Sequence, residues 1–246
     1  MIISHKFKVI HIKLKKVAGS SFETALSKYC GPDDVLSEMR GPEMKLRETL
    51  GFPSAQNYEP FMIRNRIDHL SANEIRELIA ADIFDNYLKI ATIRNPYQKA
   101  ISWYFWRKRD EKLSEIKEDF EEFIADAFRK KNIRLSPLLD HYQIHINGKS
   151  VVDFIIRYEH FNEDIKKLEK KIACPGLQET FLSINAKANI RPRKGTSLYD
   201  VYSKYPKVKA KIDEMYYKYL DKYELIREYW PAYKAELDAI LGGTPK

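Results

Sequence analysis

Two strand-like runs each pass within a few residues into a helix start, and this pattern constrains the fold of the 246-residue chain most. Residues 6–14, Lys6-Phe7-Lys8-Val9-Ile10-His11-Ile12-Lys13-Leu14, alternate polar and apolar with β-branched content. They predict a strand with one solvated or partly covered face. Lys15-Lys16-Val17-Ala18-Gly19-Ser20-Ser21 follows as a short turn. Ser20 or Ser21 can cap a helix reaching about residue 29, and Cys30-Gly31-Pro32-Asp33 stops it. Tyr87-Leu88-Lys89-Ile90-Ala91-Thr92-Ile93-Arg94 predicts a buried strand, ended by Asn95-Pro96, and Pro96 suits the first turn of another helix. Strands alternating with helices predict an α/β fold with a central, mostly parallel sheet flanked by helices. Ligands of such sheets gather at the carboxyl ends of strands.

The remaining segments fill in this frame. Residues 31–66 carry seven glycines and prolines (Gly31, Pro32, Gly41, Pro42, Gly51, Pro53, Pro60) and predict an irregular insertion with a short helix over 44–50. Ser71-Ala72-Asn73-Glu74 is a capping box opening a helix to about residue 81. Phe120, Ile124 and Phe128, at i, i+4 and i+8, mark an amphipathic helix. Asn147-Gly148 predicts a hairpin turn, with residues 151–157 as its second limb. Residues 161–172 read as helix, 173–200 as loop, and the remainder as helix with a break near Pro231. No repeat or linker divides the chain, so a single domain over 1–246 is expected, with helices over 206–246 at its end.

Composition narrows the partners. The chain carries 43 Lys and Arg against 35 Asp and Glu, a net charge of +8 that favours anionic partners such as nucleotides, phosphate or sulfate esters, nucleic acid or acidic glycans. A solvated lysine-rich surface would give the same balance. No apolar run approaches the ~18 residues of a bilayer span, and no signal-peptide pattern opens the sequence. Two cysteines, Cys30 and Cys174, build no disulfide framework, so a reduced cytoplasmic setting is expected.

At the first junction, a strand, a small-residue loop and a helix N-terminus make an anion site. Gly19 lets the backbone approach, Ser20 and Ser21 add hydroxyl donors, and Lys16 adds a point charge. A tight turn with a solvated lysine pair would carry the same residues. The order is not that of a Walker A loop, since Lys16 precedes Gly19. At the second junction Arg94 ends the strand, and Asn95, Gln98 or Lys99, and Ser102 share a helix face. An arginine fork with a hydroxyl suits a second phosphate, and a structural ion pair of Arg94 is the plainer reading.

Taken together, Lys16-Val17-Ala18-Gly19-Ser20-Ser21 and Ile93-Arg94-Asn95-Pro96-Tyr97-Gln98-Lys99-Ala100-Ile101-Ser102-Trp103-Tyr104 resemble the sulfotransferases that use 3′-phosphoadenosine 5′-phosphosulfate (PAPS). The first motif resembles their 5′-phosphosulfate loop and the second their 3′-phosphate motif. His69-Leu70-Ser71-Ala72 and Ile155-Ile156-Arg157-Tyr158-Glu159-His160-Phe161 match further, in family order. The chain is most similar to the carbohydrate branch that includes heparan sulfate O-sulfotransferases and bacterial relatives. Val17, Ser20 and Lys99 depart from the usual Thr, Thr and Arg.

The resemblance implies a P-loop-like three-layer fold and in-line transfer of a sulfuryl group from PAPS to a hydroxyl or amine, expected on a carbohydrate, leaving 3′-phosphoadenosine 5′-phosphate (PAP). It implies that Lys16, Ala18, Gly19, Ser20, Ser21 and Phe22 bind the cofactor with Arg94 and Ser102, and that Lys16 is also catalytic. A helix-entry role on backbone is the alternative for His69, which fits the position of a catalytic histidine base; Glu23 is its rival. Arg193-Lys194-Gly195 resembles the Arg-Lys-Gly segment with which some sulfotransferases hold the 3′-phosphate, and a solvated basic loop fits it equally. Glu159 reads as a fold buttress. Tyr216, Tyr217, Tyr219, Tyr223, Tyr229 and Trp230 read as helix packing rather than nucleic-acid stacking, so nucleic acid is not an expected partner. No metal is expected, and oligomeric state stays open, a homodimer included. Two other functions compete: a P-loop-like nucleotide kinase and a non-enzymatic polyanion- or RNA-binding protein.

Overall fold

A computed structural model describes residues 1–39, 42–61, 69–129, 136–184 and 195–242. These fall into two compact units, the first formed by residues 1–93, 142–147 and 151–186, the second by 94–141, 148–150 and 187–246.

The first unit is built on a five-stranded sheet. The chain opens with β1 (Ile2–Ser4), turns back through residues 5–8, and forms β2 (Val9–Ile12). The strand predicted over 6–14 is thus shorter and has a partner before it. Lys8, at φ 52°, closes the turn. After α1 (Gly19–Ser27), the strand β3 (Val35–Leu36) adds to the other edge of β1. Next come α2 (Pro42–Thr49), α3 (Ala72–Leu78) and α4 (Ala81–Asn86), then β4 (Leu88–Ile93), which lies beside β2.

Beyond β4 the chain forms α5 (Pro96–Arg107), α6 (Phe120–Arg129), β5 (His145–Ile146), β6 (Lys149–Ser150) and β7 (Phe154–Arg157). Five helices follow: α7 (Phe161–Lys171), α8 (Leu177–Ser183), α9 (Leu198–Lys204), α10 (Pro206–Tyr219) and α11 (Glu224–Gly242).

Sheet order is β3-β1-β2-β4-β7. The pairs β2·β4 and β4·β7 are parallel, whereas β1·β2 and β1·β3 are antiparallel, so the expectation of a mostly parallel sheet holds for one half only. The cause is local: a four-residue turn can join only antiparallel neighbours. Ile12 of β2 lies opposite Ala91 of β4, which sets the carboxyl ends of these strands side by side. The core beneath holds Val9, Phe22, Leu26, Ile90, Ile156 and Leu168, all buried.

Several elements correct the expectations. Residues 31–39 and 42–61 carry β3, α2 and a short 3-10 turn and so are more regular than the expected irregular insertion. The Asp34 carboxylate accepts from Ser4 Oγ and from the amides of His5, Lys6 and Gly31, tying the excursion to the β1–β2 turn. Met62–Asp68 lie outside the described residues. The Ser71 box is present in both directions, with Ser71 N–H donating to Glu74 Oε2 at 2.7 Å and Glu74 N–H to Ser71 Oγ at 3.3 Å. Its helix, however, ends at Leu78, and a separate helix covers part of the remainder. Asn147 and Gly148 both take positive φ, 53° and 81°, as the predicted turn requires. The strand after it is only β6; residues 154–157 belong to the main sheet as β7. Residues 173–200 contain α8 and the start of α9, and α11 runs through Pro231 without a break.

In the second unit tyrosines tie helices together. Tyr97 Oη donates to Asp213, Tyr202 Oη to the Tyr97 carbonyl at 2.8 Å, and Tyr216 Oη to the Leu138 carbonyl at 2.7 Å. Among the described residues no helix is long and apolar enough to cross a membrane.

Candidate active site

The loop after β2 carries the clearest local signal. Lys16 and Ala18 both hold left-handed backbone, φ 61° and 58°. Each such non-glycine residue costs on the order of 1–3 kcal/mol, and such strain clusters at functional sites. Left-handed residues alternating with ordinary ones turn successive N–H groups into a concavity suited to an anion. Ala18 is also the N-cap of α1 and supplies no side-chain acceptor, and the first turn contains no acid. The expected serine cap is therefore absent: Ser20 and Ser21 lie inside the first turn, half-exposed, as is Lys16. An α-helix gives its first amides no carbonyl of its own, so this end is chemically set for a negative group.

Gly19 is buried against the Lys13 stem, and a Cβ there would stand 2.9 Å from Lys13 Cγ. Phe22 points the other way. Its ring packs on His11 in the core and its amide donates to the Ala18 carbonyl, so it braces the loop rather than facing it.

Below the loop lies a buried ionic cluster. Glu23 is completely buried; its Oε2 sits 2.8 Å from Lys13 Nζ, and its Oε1 lies 3.2 Å from His11 Nδ1 and 2.5 Å from the N-terminal ammonium. Burial alone would raise the Glu23 carboxyl, but Lys13, the terminal ammonium and His11 together hold it well below the usual carboxylate range. Glu23, the rival base, is therefore a buried counter-ion.

His69 sits at the described edge of the same unit, half-buried, with φ 61°. Its Nδ1 lies 2.9 Å from the Lys13 carbonyl. A carbonyl only accepts, so Nδ1 carries the proton and Nε2 keeps the lone pair. Burial, then the Lys13 ammonium, pushes the ring down to about 3, and it is neutral at pH 7. The amide of Gln143 donates to the His69 carbonyl at 2.5 Å. Sequence reasoning missed Gln143, since 74 residues separate the two and no spacing links them.

In the second unit Arg94 follows directly on β4 and is half-buried. Asn95 caps α5, its side chain accepting from the amides of Tyr97 and Gln98. Lys99 is buried and its Nζ lies 2.6 Å from Asp140, so it holds the fold and does not share a ligand face with Ser102, which is half-exposed. Gly195 is exposed at φ +69°, while Arg193 and Lys194 lie outside the described residues. Next to Glu159, the Arg157 guanidinium forks onto Asp164 at 2.8 and 2.7 Å, clamping β7 to α7. Glu159 is exposed. Among the described residues no group of three or more His, Cys, Asp or Glu is placed to hold a metal ion.

A family model described as "Sulfotransferase family" matches residues 1–224. A protein of Archaeoglobus fulgidus, itself described as uncharacterized, is 34% identical over 120 residues, covering 49% of this chain and 94% of the relative. No solved structure matches.

Proposed function

The chain belongs to the sulfotransferase family, and from that premise we propose that it moves a sulfuryl group from PAPS to a hydroxyl or amine of a carbohydrate acceptor. One observation carries this reading: Lys16 and Ala18 are held left-handed at the start of α1, which has no side-chain cap, and this backbone form suits an anionic group. PAPS supplies the sulfuryl group and its bisphosphate leaving group. The amides of Gly19, Ser20 and Ser21, the two serine hydroxyls and Lys16 hold the 5′ end; Arg94 and Ser102 take the 3′-phosphate. The Arg193-Lys194-Gly195 segment adds to that hold.

Charge grows on the bridging oxygen as the S–O bond breaks, and Lys16 with the preset amides stabilises it electrostatically. The acceptor oxygen or nitrogen forms the new bond to sulfur. Its proton passes to His69 Nε2, the ring atom left basic by the Nδ1 bond to Lys13. Lys13 and Lys15 help depress His69 in the ligand-free chain. An anion on the loop offsets those charges and lifts the ring toward a working base.

The test is thermal unfolding with PAP beside ADP and ATP–Mg²⁺, in the wild type and in Arg94→Ala. A ligand at about a hundred times its Kd stabilises by about 2.7 kcal/mol. Selective stabilisation by PAP, lost in Arg94→Ala, is the expected result. A shift with ATP–Mg²⁺ alone would replace this reading with a nucleotide kinase.

A further inference from the structure

His69 combines three features that do not arise together by accident of packing. Its backbone is left-handed at φ 61° although it is not glycine. Its Nδ1 is bound to the Lys13 carbonyl, and its own carbonyl receives the amide of Gln143. A left-handed histidine relaxes unless its surroundings over-determine it. The Lys13 carbonyl holds the ring, while Gln143 holds the main chain. Gln143 is itself only 1% exposed. Because a carbonyl accepts, the Gln143 NH₂ must face His69, and its Oε1 then points into a buried place where it has no hydrogen-bond partner among the described residues. A buried amide left half-satisfied is a cost that a leucine of similar volume would avoid. Retaining the amide therefore calls for a use, and its one bond goes to His69.

We propose that Gln143 is the positioning residue of the base: by gripping the His69 carbonyl it keeps the strained backbone in place, so that Nδ1 stays on Lys13 and Nε2 alone is presented. The inference rests on the reading of His69 as base. Gln143 does not touch the acceptor or the donor; it acts through the histidine. Its contribution is to the tautomer and the direction of the ring, and not to the affinity of the phosphosulfate loop.

The test uses the full chain with ¹⁵N-labelled histidine, and the ring resonances of His69 are identified by their loss in His69→Gln. Long-range ¹H–¹⁵N spectra read the tautomer directly. The wild type is expected to show one tautomer, protonated at Nδ1. In Gln143→Leu a mixture of tautomers is expected, while PAP binding stays within about threefold of wild type. A His69 that keeps its single tautomer in Gln143→Leu overturns the proposal and leaves Gln143 as a core hydrogen bond.

Should Gln143→Leu fold too poorly for spectra, its melting-temperature loss is compared in two backgrounds. Glycine takes left-handed backbone freely. The loss is expected to shrink in His69→Gly, where there is no strain to hold; an equal loss in both backgrounds overturns the proposal. A wild type that fails to bind PAP overturns the reading of the site, and the tautomer result then decides the grip of Gln143 on His69 by itself.

Discussion

Lys16, Gly19 and His69 are each fixed by something the residue type alone does not announce. The short loop of Lys16, Gly19, Ser20 and Ser21 between a strand and a helix start was legible from residue types and order, and so was Arg94 as the end of a strand. The left-handed backbone of Lys16, Ala18 and His69 was not, because φ at non-glycine residues is imposed by tertiary contacts. Nor was the burial of Glu23, whose helical position suggests an exposed carboxylate until β2 supplies Lys13 and His11 to meet it. On the proposed reaction, Lys16→Ala is expected to slow turnover of PAPS about a hundredfold or more, the loss typical of a single oxyanion donor; an unchanged rate removes Lys16 from the chemistry. Gly19→Ala drives a Cβ into the middle of the Lys13 stem, which Glu23 anchors at its far end. That overpacking is expected to cost about 1–3 kcal/mol, read as a lower urea midpoint. Protonation gives a third outcome. The folded His69 ring is depressed to about 3 and His11 is lowered by its burial, both from an ordinary 6.5. The unfolded chain therefore takes up these protons first as pH falls. The stability they confer is whole above about pH 6.5 and is lost toward pH 3. His69→Gln should flatten the fall in unfolding free energy between pH 6 and 4 by up to about 1.4 kcal/mol per pH unit, and a mutant with the wild-type slope would mean that the folded ring titrates normally.

Elements were legible where a local signal fixes a boundary. The Ser71–Glu74 box, the Asn95-Pro96 start of α5, the Asn147-Gly148 turn and the i, i+4 apolar spacing of α6 all appear where the sequence places them. Elements escaped where they are too short to show a period. β1 has three residues and β3 two, and both owe their existence to neighbours in the sheet. The seven-residue α8 had a signal that could have found it: Leu177 and Phe181, four apart and both buried, behind the left-handed Gly176 at its N-cap. α11 runs through Pro231 because a proline removes only one helix donor, and buried Leu225, Ile226, Trp230 and Leu237 hold the helix on both sides of it. The cap on α5 carries a prediction of its own. Asn95 accepts from two amides of the first turn, and Asn95→Ala is expected to cost about 1 kcal/mol. Differential scanning calorimetry reads the cost as a lower melting temperature, and PAP added at saturation should restore part of it, since the ligand binds only the folded chain.

At the scale of the whole molecule the sequence prescribes a charge, and the structure shows how part of it is used. Three buried carboxylates each meet a cation inside the fold: Glu23 meets Lys13, Asp140 meets Lys99, and Asp164 meets Arg157. Each pair cancels one charge of either sign, so the pairs leave the surplus of +8 unchanged. A surface of this kind would bind any polyanion loosely, which is what a non-enzymatic polyanion-binding protein would do. The two behaviours separate in salt. Between about 0.1 M and about 1 M the screening length falls from about 10 Å to about 3 Å, so binding by exposed lysines collapses. On the proposed reading, a ligand seated on preset amides and half-buried Lys16 is screened much less. PAP affinity is therefore expected to fall by no more than about tenfold across that range, while binding of a heparin oligosaccharide is lost almost entirely. If isothermal titration shows PAP and heparin weakening in parallel, the loop contributes no more than surface charge, and the sulfuryl-transfer reading loses its structural support.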